Sequence, residues 1–335
     1  MSRDPAEMAL VTGATGMVGA ALVRMLVETG ERVRILRRTD SSLELLGGAA
    51  GAVEHAVGDV TDGESVREAM QGIARVWHSA ALVDLGGAGA ERRLFDVNAG
   101  GTANVVDAAR DVGIARLVHV SSIAALGRAG DAGAMRGEET EWAPSTSNTP
   151  YARSKHAAEL EVQRGVAEGL DAVIVNPALI FGRGRTGEGT MRIVERVADG
   201  RMRVSPPGGT CVVDAEDVAL GLRAAMAHGT AGRRYVLCGE NLAWTVILGT
   251  LAEAFGRPAP SRVVSARTLR TTAAVAESIA RLSGTSPLLS RAQARSGAET
   301  YRYDNRRAVE ELGMGFRPFR ATARRLASDL RSGRG

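Results

Sequence analysis

Short apolar runs and amphipathic stretches alternate through the first two thirds of the 335-residue chain. "MALVT" (8–12) is an apolar run of strand length that ends in glycines. A helical pattern over 17–29 follows it, with Val18, Leu22, Met25 and Leu26 on one face. "RVRIL" (32–36) and "AVEHAV" (52–57) read as the next strands, the latter leading through "GDVTD" into a helix over 62–71. "ARVWHSA" (74–80), "RLVHVSS" (116–122) and "DAVIVNP" (171–177) read as further strands, each preceded by a helical segment. This alternation predicts an α/β protein, a doubly wound parallel sheet with helices on both faces. After about residue 180 the rhythm loosens. "GRGRTGEG" (182–189) is a glycine-rich loop, helices are expected over 190–199 and 214–227, and 257–300 shows helical patterns flanked by Pro258, Pro260 and Pro287 without strand alternation. The expected organisation is a first domain over 1–180, to which 212–240 partly returns, and a smaller, mostly helical C-terminal substrate lobe over 181–335. No repeat or low-complexity linker separates them, so the two are expected to be interwoven.

Composition narrows the class. Apolar residues make up 44% and charged residues 24%, as in ordinary globular proteins, while aromatics at 4% leave the core to aliphatic side chains and alanine. The net charge of +4 is spread among acids, with no long basic run and no interleaved aromatics, which argues against nucleic acid. No apolar stretch reaches the ~20 residues of a membrane span, and "MSRDPAEMALVTG" lacks the pattern of a secretory signal. Cys211 and Cys238 have neither zinc-site nor CxxC spacing, so reduced, buried thiols and a cytoplasmic location are expected.

"VTGATGMVG" places Gly13, Gly16 and Gly19 between the first strand and the first helix. Glycines there permit a tight turn and close approach of a pyrophosphate to the helix N-terminus, whose amides and dipole favour an anion. The spacing is GxxGxxG, not the GxGxxG of the simplest dinucleotide fingerprint. At the end of the second strand, where an NAD binder places a carboxylate for the ribose, the chain reads "ILRRTDSS". Arg37 and Arg38 suit the 2′-phosphate of NADP, and Asp40 is the competing partner for NAD. NADP (NADPH) is therefore the expected cofactor in preference to NAD.

Of the 42 basic residues one is a lysine, Lys155 in "PYARSK" (150–155). Pro150 suits the first position of a helix capped by Thr149, which stacks Tyr151 and Lys155 at i and i+4. With four tyrosines in 335 positions, chance puts a lone lysine four residues after one of them in about 1% of cases. An ammonium beside a phenol favours phenolate, so the expected effect is a lowered tyrosine pKa and a group able to exchange protons near neutrality. Lysine does this as a compact charge with rotatable donors; arginine's planar fork is not equivalent. His78 at a strand end is expected to be satisfied by backbone groups, and His156 to be packed or solvated. Trp142 and Trp244 fall in a loop and at a helix start.

As a set, TGxxGxxG (12–19), "GDV" (58–60), "HSAA" (78–81), "NAGGT" (98–102), "VSSIAALG" (120–127), YxxxK (151–155) and "NPALIFG" (176–182) resemble the extended short-chain dehydrogenase/reductases. "VVDAEDVALG" (212–221), "YVLCGEN" (235–241) and "YDNRRAVEELGMGFRP" (303–318) carry the likeness over nearly the whole chain. Within that NAD-dependent epimerase/dehydratase superfamily the chain is most similar to the dihydroflavonol-reductase and 3-beta-hydroxysteroid-dehydrogenase-like branch. The resemblance implies a Rossmann fold and a catalytic set of Ser122, Tyr151 and Lys155, with Ser121 the weaker choice of serine. It further implies cofactor contacts from Gly13, Thr15, Gly16, Met17, Val18, Gly19, Arg37, Asp59, Val60, Ala80, Ala81, Asn98, Tyr151, Lys155, Asn176, Pro177, Ala178 and Leu179. "NAGGT" departs from the family's usual pattern at Ala99. The implied reaction is hydride transfer between NADPH and the carbonyl of a hydrophobic small molecule, without a metal. Its rivals are a nucleotide-sugar epimerase or dehydratase with retained cofactor, for which Arg183, Arg185, Arg201 and Arg203 speak, and a non-catalytic NADP-sensing protein. A homodimer is the expectation by analogy with relatives.

Overall fold

The computed structural model describes residues 8–83, 89–128, 133–283 and 291–333, and each strand-like run of the first two thirds forms a strand in it. Strands β1 (Met8–Thr12), β2 (Val33–Arg37), β3 (Glu54–Val57), β4 (Ile73–His78) and β5 (Arg116–Val120) are followed by the short β6 (Met135–Arg136). Then come β7 (Ala172–Pro177), β8 (Leu179–Phe181), β9 (Val204–Ser205), β10 (Gly209–Asp214), β11 (Arg234–Leu237) and β12 (Glu240–Ala243). Seven of these form one sheet in the order β11-β7-β5-β4-β1-β2-β3, and every neighbouring pair is parallel. The chain runs outward from β1 to β3 and then restarts on the other side at β4. That reversal opens a crevice at the strands' C-terminal ends, between β1 and β4.

Consecutive residues of a strand point to opposite faces, and the core divides accordingly. The α-helices up to residue 228 are α1 (Met17–Glu28), α2 (Gly63–Ala69), α3 (Ala90–Phe95), α4 (Gly101–Val112), α5 (Pro150–Ala167), α6 (Met191–Ala198) and α7 (Ala215–His228). Val11, Val118 and Val175 join Leu22 and Leu26 of α1 and Val218 and Leu222 of α7 in one buried cluster. Their neighbours Leu10, Leu117 and Ile174 join Val66 of α2, Val105 of α4 and Val162 of α5 in a second. A third cluster lies outside these two, where Phe181 and Val194 meet α8 (Trp244–Phe255), and Phe319 and Leu326 join them from a C-terminal helix over Phe319–Arg331. The expectation of strand-free sequence over 257–300 needs correction: Arg262–Val263 pairs in parallel with β9. Pro287 lies outside the described residues.

The cysteine expectation is also corrected. Cys211 of β10 and Cys238, just past β11, form a disulfide. The Gly239 amide bonds the Val212 carbonyl, which lays the exit of β11 alongside β10. The two Cα atoms are thereby 5.8 Å apart, within bridging range. Their 27-residue separation hid this juxtaposition in the sequence. Among the described residues no helix is long and apolar enough to cross a membrane.

Candidate active site

The turn after β1 is built so that three backbone segments nearly touch. Gly13 has φ +66°, and a Cβ there would lie 2.5 Å from the Ala80 nitrogen, while one at Gly19 would overlap the Gly13 carbonyl. These two glycines are required by the protein itself. Gly16 is different: a Cβ there would meet the Gly13 carbonyl oxygen alone, at 3.4 Å. Gly16 is also the N-cap of α1, with no side-chain cap and no acid in the first turn, so the Met17, Val18 and Gly19 amides at the positive end of the helix remain open to an anion. Arg185 donates to the Thr15 carbonyl (2.9 Å) and the Ser42 carbonyl (3.3 Å), laying the 182–189 loop across this turn. Nε of Arg183 and Nε of Arg185 are buried without a hydrogen-bond partner. A bare glycine, open helix amides and unpartnered guanidinium donors fit the pyrophosphate of a dinucleotide.

At the end of β2, Arg37 donates from Nε to His55 Nδ1 (2.9 Å) and from Nη1 to the Arg38 carbonyl (3.1 Å). His55 Nε2 bonds the Ala50 carbonyl at 2.9 Å, which fixes the tautomer whose Nδ1 accepts. Asp40 pairs with Arg38 at 3.5 Å. Asp59 accepts from the Thr61 amide (2.9 Å) and hydroxyl (2.8 Å), Val60 is buried, and Ala80 and Ala81 continue the crevice from β4, half-buried.

Ser122 and Ser121 leave β5 in opposite directions. Ser122 Oγ caps a short turn over Ile123–Leu126 by accepting from the Ala124 amide, and its hydroxyl neighbours the Tyr151 phenol. Ser121 Oγ instead donates to Glu159 Oε1 at 2.5 Å. Helix α5 starts as its sequence demands, with Thr149 Oγ1 accepting from the Ala152 amide and Pro150 in the first turn. One turn after Tyr151, the buried Lys155 donates from Nζ to the Val120 carbonyl at 2.8 Å. Burial pushes its pKa down to about 8 against the opposing pull of Glu159. The expected lowering of the tyrosine pKa is corrected: burial pushes the phenol up, and the Ser122 hydroxyl opposes this without reversing it. The ammonium faces a carbonyl, so it does not set the phenol's protonation here. From β7, Asn176 Nδ2 donates to the Ser122 carbonyl (3.0 Å) and to Glu159 (2.6 Å). Pro177, Ala178 and Leu179 follow it along the crevice, the Ala178 amide anchored on the Leu237 carbonyl. Asn98 supports this wall from behind, holding both backbone groups of Leu82 and the Ser154 hydroxyl.

Beneath the site lie two buried histidines with ring centroids 5.1 Å apart. His78 is satisfied by hydroxyls rather than the expected backbone groups, Thr12 at 2.7 Å and Thr102 at 3.0 Å. Burial, then Lys155, holds His78 neutral down to about 3 and His119 well below its ordinary value. In both cases the unfolded chain binds a proton near pH 6.5 that the folded protein refuses, so stability falls as pH drops below 6.5. Both ring nitrogens of His119 lack hydrogen-bond partners. His119→Phe is therefore expected to raise the unfolding free energy read from urea melts more at pH 5 than at pH 7, by up to about 1.4 kcal/mol per pH unit. An equal effect at both values would show that His119 is not held neutral. His156 stacks on Trp142 at 4.1 Å, and Trp244 opens α8 against the third apolar cluster.

Comparison with known proteins agrees with this architecture. The model of the NAD dependent epimerase/dehydratase family matches residues 9–238. "Sterol demethylase protein B" of Methylococcus capsulatus is 39% identical over 262 residues, 78% of each chain. A "Putative dihydroflavonol 4-reductase" of a Synechocystis species is 35% identical over 92% of this chain and 90% of its own. Among solved structures, a dTDP-glucose 4,6-dehydratase of Streptomyces venezuelae with NAD and TYD bound shares the fold at a TM-score of 0.78, with 23% identity and 98% of both chains covered. With a dinucleotide-shaped turn at its switch point and a family match across more than half its length, the chain belongs to the NAD dependent epimerase/dehydratase family and is an NAD(P)-dependent enzyme.

Proposed function

We propose that the protein is an NADP(H)-dependent reductase that converts a ketone or aldehyde on a hydrophobic small molecule to the alcohol. The observation that carries this reading is geometric: the buried Tyr151 phenol lies beside the Ser122 hydroxyl at the end of β5, one helical turn before the buried Lys155. A group that keeps its proton at neutral pH is suited to deliver it to an oxygen that gains charge. A dinucleotide held in the crevice would supply the hydride that the carbonyl carbon takes up. Ser122 donates a hydrogen bond to the substrate oxygen, and Tyr151 gives that oxygen the proton that completes the alcohol. Lys155 supplies positive charge beneath Tyr151 while the phenolate awaits a proton from solvent. Asn176, Ala178 and Leu179 would line the nicotinamide end, and the Gly13–Gly19 turn and Arg185 would hold the pyrophosphate. The names of the two relatives, a sterol demethylase protein and a dihydroflavonol reductase, favour a sterol-like or flavonol-like substrate.

Arg37 supports the choice of NADP. It stands oriented by His55 at the end of β2, while the competing Asp40 is drawn to Arg38. Arg37→Asp is expected to weaken NADPH binding about 10- to 100-fold, the scale of one charge-assisted hydrogen bond, and to leave NADH within about threefold. Equal losses for both cofactors, measured by fluorescence titration, would sink the assignment. The reaction itself is tested by incubating the enzyme with NADPH and a panel of steroid, flavonoid and simple ketones. Stoichiometric oxidation of NADPH with alcohol formation is expected. Conversion of a nucleotide sugar without net oxidation would replace this reading with epimerase chemistry.

A further inference from the structure

Glu159 lies one helical turn beyond Lys155 on α5 and is 3% exposed. A carboxylate buried this deeply is costly unless its oxygens are fully paired. Ser121 Oγ donates to Oε1 at 2.5 Å, Asn176 Nδ2 donates to the same oxygen at 2.6 Å, and Arg234 of β11 faces Oε2 at 3.8 Å. Each partner offers donors to a group that can only accept when ionised, so the cluster is built for a carboxylate. Burial raises the Glu159 pKa, and Ser121, Arg234, Asn176 and Lys155 all oppose that rise.

The partners are not arbitrary. Ser121 precedes Ser122, and Asn176 also holds the Ser122 carbonyl at 3.0 Å. One carboxylate thus joins the helix of Tyr151 and Lys155 to the ends of β5 and β7. Successive side chains at the end of β5 point to opposite sides, so Ser121 bonds Glu159 while Ser122 is left beside the phenol. Charge gives the arrangement a second consequence. The titratable groups facing Lys155 are Glu159 and Tyr151 on α5, His78 on β4 and His119 on β5, with Arg234 on the far side of Glu159. Both histidines are neutral and the phenol is protonated, so the negative charge facing the ammonium is Glu159.

We infer that Glu159 is a positioning residue of the proton-transfer site, fixing Ser122 through Ser121 and Asn176 and standing as counter-charge behind Lys155. Its effect on turnover rests on the reductase reading above; its effect on Lys155 does not. Because the chain has one lysine, isotope-labelled lysine gives a single side-chain NMR signal, and its protonation can be followed directly. Glu159→Gln keeps the shape and an oxygen for Ser121 and Asn176 but removes the charge. The Lys155 titration midpoint is expected to fall by about one pH unit, and the alkaline limb of reductive kcat/KM to fall with it. Glu159→Asp keeps the charge with a shorter reach. It should leave the midpoint near that of wild type and lower kcat about tenfold, because Ser121 and Asn176 are released. A midpoint unmoved in folded Glu159→Gln overturns the inference. So does unchanged kcat in Glu159→Asp, which also serves as the test if the glutamine variant fails to fold. A shifted midpoint with an unshifted rate profile would uphold the counter-charge and overturn the catalytic assignment of Lys155.

Discussion

Lys155→Arg is expected to lower NADPH-dependent kcat/KM by about 10²- to 10⁴-fold, although the charge is kept. The side chain is 1% exposed and ends 2.8 Å from the Val120 carbonyl, with Glu159 one turn away and His78 and His119 nearby. A guanidinium is planar, wider than an ammonium, and cannot place a single rotatable donor on the Val120 carbonyl in the same space. Overfilling a packed site of this kind costs typically ~1–3 kcal/mol, so some lost stability is expected too. Lys155→Met separates the two effects. The native pKa of about 8 lies below the ordinary 10.5, so below pH 8 the buried ammonium weakens the fold relative to a neutral group. The methionine variant should therefore hold or raise the melting temperature at pH 7 while losing activity as completely as the arginine variant. Retention of more than a tenth of wild-type kcat/KM by Lys155→Arg would mean that any cation serves, and the assignment of Lys155 would fall.

What the sequence revealed about this site follows from how local each feature is. The glycine turn and the Tyr151–Lys155 pair are set by neighbours within one helical turn or one loop, so their spacing alone states their geometry. The alternation of apolar runs with helices likewise placed six of the seven strands of the main sheet to within two residues at each end, and left β11 unread. Long-range pairings were not legible. Glu159 reads as an ordinary polar residue until β5 and β7 bring Ser121 and Asn176 to it across 38 and 17 positions. Arg185 could be read as a candidate for a sugar diphosphate, yet it crosses 170 positions to the Thr15 carbonyl. The hydroxyl partners of His78 and the bridge between Cys211 and Cys238 were missed for the same reason. The phenol's protonation went astray differently. Charge proximity was inferred from helical spacing, but burial, which spacing does not report, outweighs it.

Tyr151→Phe is the substitution that separates an enzyme from a cofactor-binding relative that has kept the fold without the chemistry. It removes one oxygen from a buried ring that keeps its shape, so the melting temperature should hold within the ~0.5 kcal/mol scatter of mild substitutions. The glycine turn, Arg37 and Arg185 are untouched, and NADPH affinity should change by less than about threefold. Reductive kcat/KM should nevertheless fall about 10³-fold, the scale of losing a positioned proton donor. Ser122→Ala should cost less, about 10²-fold, because it removes an oxyanion hydrogen bond and leaves the proton source in place. If the two residues act as one unit, the double variant will be little worse than Tyr151→Phe alone. Losses that multiply would instead place Ser122 on the substrate independently of the phenol. Full activity in Tyr151→Phe would end the reductase reading and leave a non-catalytic NADP-sensing protein as the better account of the same crevice.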